Sequence, residues 1–310
     1  MAEILSPGGP LIALAALLGL LIGSFLNVVI HRKPILLERL WLSDTAQYLQ
    51  DGSAMQRVLG SRSTSIQELH RVGLSLEAEV QALPALSISR PRSRCPHCGH
   101  AIRWWENVPL ISWLLLRGRC SNCRASVSMR YPVVELLTGL LFAAGAWRHG
   151  ATPATGVYSL AIAIVIAAAF IDLDTTLLPD DLTLPLIATG MIAAWQGWIP
   201  VSLSDSALGA LFGYLSLWAV ATLYRLVRGV EGMAEGDFKL LAGLGALLGW
   251  QSLASIILLS SAVGAMVGLF MIAARGHKRQ VPIPFGPYLA GGGIASLFFG
   301  AQLNTLWTGS

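Results

Sequence analysis

Hydrophobic and polar positions along this chain fall into long blocks, not into strict alternation. Apolar runs cover Leu11–Ile30, Val133–Trp147, Val157–Ile171, Leu182–Ile199, Ala207–Leu226, Phe238–Leu248, Leu253–Ala274 and Tyr288–Leu303. A helix crosses a bilayer with about 20 apolar residues. The pattern therefore predicts about eight transmembrane helices, the sixth of them short. The polar stretch between the first and second runs is different. Within it, Leu36–Leu49 and Ser65–Leu83 carry apolar residues at helical spacing among charges, which predicts surface helices. Gly52, Gly60, Gly73 and Pro84 punctuate them.

Composition agrees: 54% of the 310 residues are hydrophobic and 12% charged, against about a quarter charged in soluble domains. The expected fold class is an all-α polytopic membrane protein. Orientation follows from the cations, because loops rich in Lys and Arg stay in the cytoplasm. Fourteen of the 21 cations lie in residues 31–131, among them Arg32, Arg39, Arg62 and Arg130. With that segment inside, alternating spans also place Arg225, Arg228, Lys239, Arg275, Lys278 and Arg279 inside and leave Arg148 outside. The net charge of +4 is thus a topogenic signal that also suits anionic lipid, and it gives no reason to expect nucleic acid. No base precedes the first run, which is too long for a cleavable leader; it reads as an anchor with its N-terminus outside. Gly19, Gly23, Ser24 and Asn27 in that run predict close helix packing with a hydrogen bond across the interface. The expected division is a first helix at 1–31, a cytoplasmic domain at 32–131 and a seven-helix membrane core at 132–310.

All four cysteines sit in two knuckles, Cys95-Pro96-His97-Cys98 and Cys120-Ser121-Asn122-Cys123, separated by 21 residues. This is the pattern of a four-thiolate zinc site, a structural one with no open position for water. Disulfides and a redox dithiol compete with it. A cytoplasmic position disfavours the first, and two paired knuckles suit a shared metal better than the second. A zinc-ribbon-like module is expected at about 90–131, inserted after the first helix, with His97 and His100 on its surface and His70 solvated outside it. Trp104, Trp105 and Trp113 between the knuckles suit a membrane interface.

The chemistry gathers where acids meet apolar runs. Asp172, Asp174, Asp180 and Asp181 follow the run ending at Ile171, and Asp237 opens the run starting at Phe238. A charge at the centre of a bilayer costs roughly 2.5–3.5 kcal/mol even on lenient scales, so such acids are functional candidates. Asp180 or Asp181 can cap the helix starting at Leu182. Asp172 has no such account, because it ends a helix, where the dipole disfavours an anion. Glu135 is expected to pair with Arg130 or another inserted Arg. Gly229–Gly236 reads as a flexible loop into Asp237, and Pro282–Pro287 as a break shaping either a cleft or a stiff loop. Two adjoining carboxylates share a proton, so one can activate a water while the other polarises a carbonyl, as in aspartic proteases. A proton-coupled transporter with a zinc-binding regulatory domain would use the same acids.

Gly23-Ser24-Phe25-Leu26-Asn27, the two knuckles, Trp105-Glu106-Asn107-Val108-Pro109, Arg130-Tyr131-Pro132, Asp172-Leu173-Asp174, Leu178-Pro179-Asp180, Gly236-Asp237-Phe238-Lys239 and Pro284-Phe285-Gly286-Pro287 follow in an order that resembles the type IV prepilin peptidases. The resemblance implies a bifunctional enzyme of the bacterial inner membrane with its active site at the cytoplasmic face. Such an enzyme cleaves the leader of type IV prepilins and type II secretion pseudopilins after a glycine. It then methylates the new N-terminal residue, usually Phe, from S-adenosylmethionine. The resemblance puts the catalytic pair on Asp172 and Asp237, structural zinc on Cys95, Cys98, Cys120 and Cys123, and the methyl donor near Gly118. A peptidase without methyl transfer is the variant reading. One departure stands out: Ala234 occupies the first glycine position of the family's Gly-x-Gly-Asp.

Overall fold

The computed structural model describes residues 8–60, 65–275 and 284–308. Arg62, Lys278, Arg279, Pro282 and Ile283, used above, lie outside the described residues. The described chain is helical, with two isolated bridges and no strand. It divides into two compact units, residues 28–103 and residues 1–27 with 104–310.

The first helix, α1 (Gly9–Gln50), contributes to both units and runs through Pro34 without a break. Here the expectation of a separate surface helix over Leu36–Leu49 is corrected: that stretch continues the first helix. Proline inside a helix costs about 3 kcal/mol, but both sides of Pro34 are held. Before it, Asn27 donates to Gly23 O and Tyr131 O. After it, in unit 28–103, the buried Arg32 guanidinium donates to the carbonyls of Ser87, Ile88 and Pro91, and Arg39 to that of Pro84. Arg32 is a structural clamp as well as a topogenic charge. The same unit contains α2 (Gly52–Leu59), capped by Asp51, which accepts from the Ser53 and Ala54 amides, and α3 (Ser65–Ala82). A Cβ at Gly73 would stand 2.8 Å from Ala46 O, so α3 packs directly on the backbone of α1.

The larger unit carries α4 (Ile111–Leu115), α5 (Arg130–His149), α6 (Pro153–Thr175), α7 (Asp180–Trp195), α8 (Leu203–Arg228), α9 (Glu235–Leu248), α10 (Leu253–Arg275) and α11 (Gly286–Thr308). Each of the eight apolar runs falls within a helix, apart from a few residues at the C-terminal end of the fourth. Among the described residues, four helical segments are long and apolar enough to cross a membrane: α1, α6, α8 and Trp250–Ala273, which contains most of α10. With 14 residues, α9 is about 21 Å long at 1.5 Å per residue, short of the roughly 30 Å hydrocarbon core. Glycines let it sit deep. Gly190 of α7 and Gly213 of α8 have no room for a Cβ against its backbone, and its own Gly243 meets Leu186 of α7. Gly19 and Gly23 likewise let α1 approach α5, 2.7 Å from Thr138 O and from Glu135 Cα respectively, measured from a built Cβ. Close backbone approach through small residues is how helices pack where apolar burial alone gives no preference.

Two local expectations change. Helix α7 is capped by Pro179, in extended conformation, while Asp180 and Asp181 lie in its first turn. That position still favours acids through the dipole, and Asp180 turns outward to Lys239. Glu135, buried in α5, accepts from the Leu110 amide at 2.8 Å and does not pair with Arg130. Its bond holds Leu110 at φ 58°, a left-handed conformation costly for a branched side chain.

Candidate active site

Asp172 lies in the last turn of α6 and Asp237 in the first turn of α9. Both are buried, with 4% and 5% of their surface exposed. The two acids sit at adjoining helix ends: Leu178 meets Gly236, next to Asp237, and also Gly286, which touches Asp172. Three helix ends converge there. The amide of Gly286, first residue of α11, donates to Asp172 Oδ2 at 2.9 Å. The unfavourable C-terminal end of α6 is thus answered by the N-terminal end of α11, whose free amides and dipole attract an anion. Space is tight: a Cβ on Gly286 would stand 2.6 Å from Asp172 Oδ2, and one on Gly236 would collide with Leu178. Leu178 packs against both glycines and so locks the loop after α6 between the two acids' neighbours.

The surrounding acids are neutralised. Asp174 pairs with Arg130, whose guanidinium also lies 5.4 Å over the Phe170 ring and donates to Phe170 O. Lys239 binds both oxygens of Asp180, at 2.9 and 3.1 Å, and Glu235 at 3.2 Å. Glu235 also accepts from the Tyr214 hydroxyl at 3.3 Å. The inner pair differs. Asp172 has the Gly286 amide, and Asp237 Oδ1 is buried without a hydrogen-bond partner among the described residues. A buried acceptor left unpaired is costly, on the order of 1–3 kcal/mol, so this oxygen has hydrogen-bonding capacity that the described residues do not use. Cations thus sit on the outer carboxylates, leaving two adjoining inner carboxyls free to hold and pass a proton.

The cysteine knuckles are built alike. Cys95 N donates to His100 O and Gly99 N to Cys95 O; Cys120 N donates to Ala125 O and Arg124 N to Cys120 O. An antiparallel bridge closes each turn, Arg94 with Ala101 and Arg119 with Ser126. The fourth residue after each first cysteine has positive φ, 69° at Gly99 and 61° at Arg124. Together the four cysteines are a group that could hold a metal ion, and a four-thiolate donor set is soft and tetrahedral in character, suiting zinc. His97 is exposed, as expected. Gly118 sits at φ 65° beneath Trp113, whose ring a Cβ would meet at 2.7 Å. Its amide donates to Trp113 O and its carbonyl accepts from Val127 N. Both backbone groups are therefore used by the turn itself.

Sequence reasoning singled out Asp172, Asp237 and the cysteines, but left Gly286 inside a Pro-rich motif and passed over Leu178. The signal was the motif's position just before the last apolar run; that it answers Asp172 could be seen only in space.

Fold and site together define a helical membrane protein that gathers two aspartates at one end of its helices. The chain belongs to the type IV leader peptidase family. That family matches residues 159–269, and the bacterial peptidase A24 N-terminal domain matches residues 17–149. Proteins named prepilin leader peptidase/N-methyltransferase are similar over nearly the whole chain. The one from Stutzerimonas stutzeri is 48% identical over 94% of this chain and 91% of its own, that from Pseudomonas aeruginosa 47% over 93% and 90%, and that from Aeromonas hydrophila 45% over 95% and 92%. No solved structure matches the chain.

Proposed function

We propose that this protein is a bifunctional enzyme of the bacterial inner membrane. It removes the leader of type IV prepilins and type II secretion pseudopilins after a glycine, then methylates the new N-terminal residue. The observation that carries the cleavage reading is the buried pair Asp172 and Asp237, without a cation partner among the described residues, in a chain of the leader peptidase family. One carboxylate takes a proton from a water as it attacks the scissile carbonyl. The other, protonated, gives its proton to the carbonyl oxygen; on collapse of the tetrahedral diol it takes that proton back, and the first carboxyl passes the proton it took from water to the leaving amine. Gly286 N–H keeps Asp172 oriented through this exchange.

The reading extends to topology. Eight spans bring α6, α9 and α11 to the cytoplasmic face with the acids at the membrane rim. There a basic leader can remain in water while the substrate's apolar stem stays in lipid. The domain division is a first helix at 1–31, a cytoplasmic domain at 32–131 with its zinc module at about 90–131, and a membrane core at 132–310. The two matched knuckle turns support a single zinc shared by Cys95, Cys98, Cys120 and Cys123, which holds the module's fold and stays out of the chemistry. Replacing Cys95 and Cys98 with Ser is expected to remove the metal, read by elemental analysis of the purified protein, and to expose residues 90–131 to protease. Unchanged metal content would end this reading.

S-adenosylmethionine supplies the methyl group when bound. The donor lies near Gly118, whose amide is taken by Trp113 O while its carbonyl, accepting from Val127 N, keeps one lone pair free; Gly118 also shapes the turn beneath Trp113.

The deciding experiment is the intact mass of a prepilin peptide after incubation with membranes containing this protein, with and without S-adenosylmethionine. Cleavage after glycine with one added methyl is expected. An unmethylated cut removes the second activity, and no cut by folded protein removes both.

A further inference from the structure

Several hydroxyls on these helices follow a habit that Thr183 does not. Thr138, Thr175, Thr189, Ser252 and Ser260 each donate to the carbonyl four residues back, at 2.6–3.0 Å. Such back-bonding is the ready way for a hydroxyl in a helix to find a partner. Thr183 of α7 has 0% of its surface exposed, yet its Oγ1 has no partner among the described residues. The carbonyl four back, Pro179 O, instead accepts from the amides of Leu182 and Thr183 at 3.0 and 3.2 Å.

Register shows where Thr183 lies. Residues 183, 186 and 190 share one helical face, and on that face Leu186 meets Gly243 of α9 while Gly190 meets the Ala246–Leu247 backbone. Just before α7, Leu178 meets Gly236, and Asp180 reaches Lys239. The two helices thus run in parallel, and Thr183 faces the stretch of α9 bounded by Gly236 and Gly243. Asp237, with its unpaired Oδ1, lies in that stretch. Thr183 Oγ1 and Asp237 Oδ1 are thus two buried, unpartnered oxygens on adjoining helices, one able to donate and one to accept, and a buried water is the usual way such groups are satisfied.

We propose that Thr183 is a positioning residue for the aspartate pair: its hydroxyl, through one water between α7 and α9, hydrogen-bonds Oδ1 of Asp237 and fixes the rotation of that carboxyl. This rests on the reading of Asp172 and Asp237 as the cleaving pair. Packing alone does not require a hydroxyl at 183, since valine has the same shape. The hydroxyl adds direction: with Oδ1 held from the α7 side, the other oxygen of Asp237 is left for the reacting groups. Asp172, held through Oδ2 by Gly286 N–H, would be fixed in the same manner from the other side.

The test uses the full chain in proteoliposomes with a prepilin peptide, comparing wild type, Thr183→Val, Thr183→Ser and Asp237→Asn. Thr183→Val is expected to lower kcat by about 10- to 100-fold, the scale of a reacting group set slightly out of place, with KM and Tm held. Thr183→Ser is expected to retain most of the activity. Wild-type kcat in Thr183→Val, or an equal loss in Thr183→Ser, would overturn the proposal, the latter showing that only packing is at stake. Asp237→Asn separates the two readings. Cleavage surviving in that variant removes the catalytic pair itself, whereas its loss beside an unaffected Thr183→Val removes only the role of Thr183. Should Thr183→Val not fold, Thr183→Ala is read in the same way.

Discussion

Two aspartates in first turns of helices are treated in opposite ways. Asp205, in the first turn of α8, is saturated: it accepts from the Ser202 hydroxyl at 2.6 Å, the Trp250 indole at 2.9 Å and the Gln251 amide at 3.0 Å. Its backbone amide in turn donates to Ser202 Oγ, a reciprocal cap. Asp237, in the first turn of α9, is more deeply buried, and one of its oxygens has no partner. Both acids gain from a helix dipole. What differs is the spare hydrogen-bonding capacity. An acid whose lone pairs are all engaged fastens the chain, here the start of α8 to the turn before α10. An acid with an idle buried oxygen beside a second carboxylate can bind, orient and exchange protons.

The contrast can be broken by substitution. The largest effect is expected for Asp172→Asn or Asp237→Asn, each lowering prepilin cleavage by about 10³-fold or more while far-UV circular dichroism and Tm stay near wild type. Substantial residual cleavage in either variant would place Asp237 in the same structural class as Asp205. Gly286→Ala comes next. Its new Cβ would press on Asp172 Oδ2 at 2.6 Å, and a displacement of this kind is expected to cost about 10²-fold in cleavage; a wild-type rate would show that the position of Asp172 is not critical. Smallest in activity is Asp205→Ala. It is expected to lower Tm modestly by releasing its three donors to water, with the cleavage rate of the remaining folded protein unchanged.

Much of this could be read without coordinates, for identifiable reasons. The apolar runs fall in helices because membrane helices satisfy their backbone internally, so hydropathy and local structure coincide. Asp172 and Asp237 stand out because an acid beside such a run is expensive. The knuckles are legible because Cys-x-x-Cys spacing is dictated by a tight turn and not by distant contacts. The reading fails where the partner is remote in sequence. Leu36–Leu49 looked like a separate surface helix, but Arg32 and Arg39 bind carbonyls 45 to 59 residues away and α1 runs on through it. Glu135 looked like a mate for Arg130, yet Leu110 takes one and Asp174 the other.

The sequence by itself determined the class of the protein, its helices, its reactive residue types and its cysteine turns, since each depends on composition or on neighbours a few positions apart. Tertiary structure alone decided which acids are neutralised, that the N-terminus of α11 answers Asp172, and that Thr183 Oγ1 and Asp237 Oδ1 are buried without a partner among the described residues. Those are matters of which surfaces of separate helices meet. That pairing is set by glycines allowing backbones together and by hydrogen bonds between segments over a hundred residues apart, as between Gly286 and Asp172.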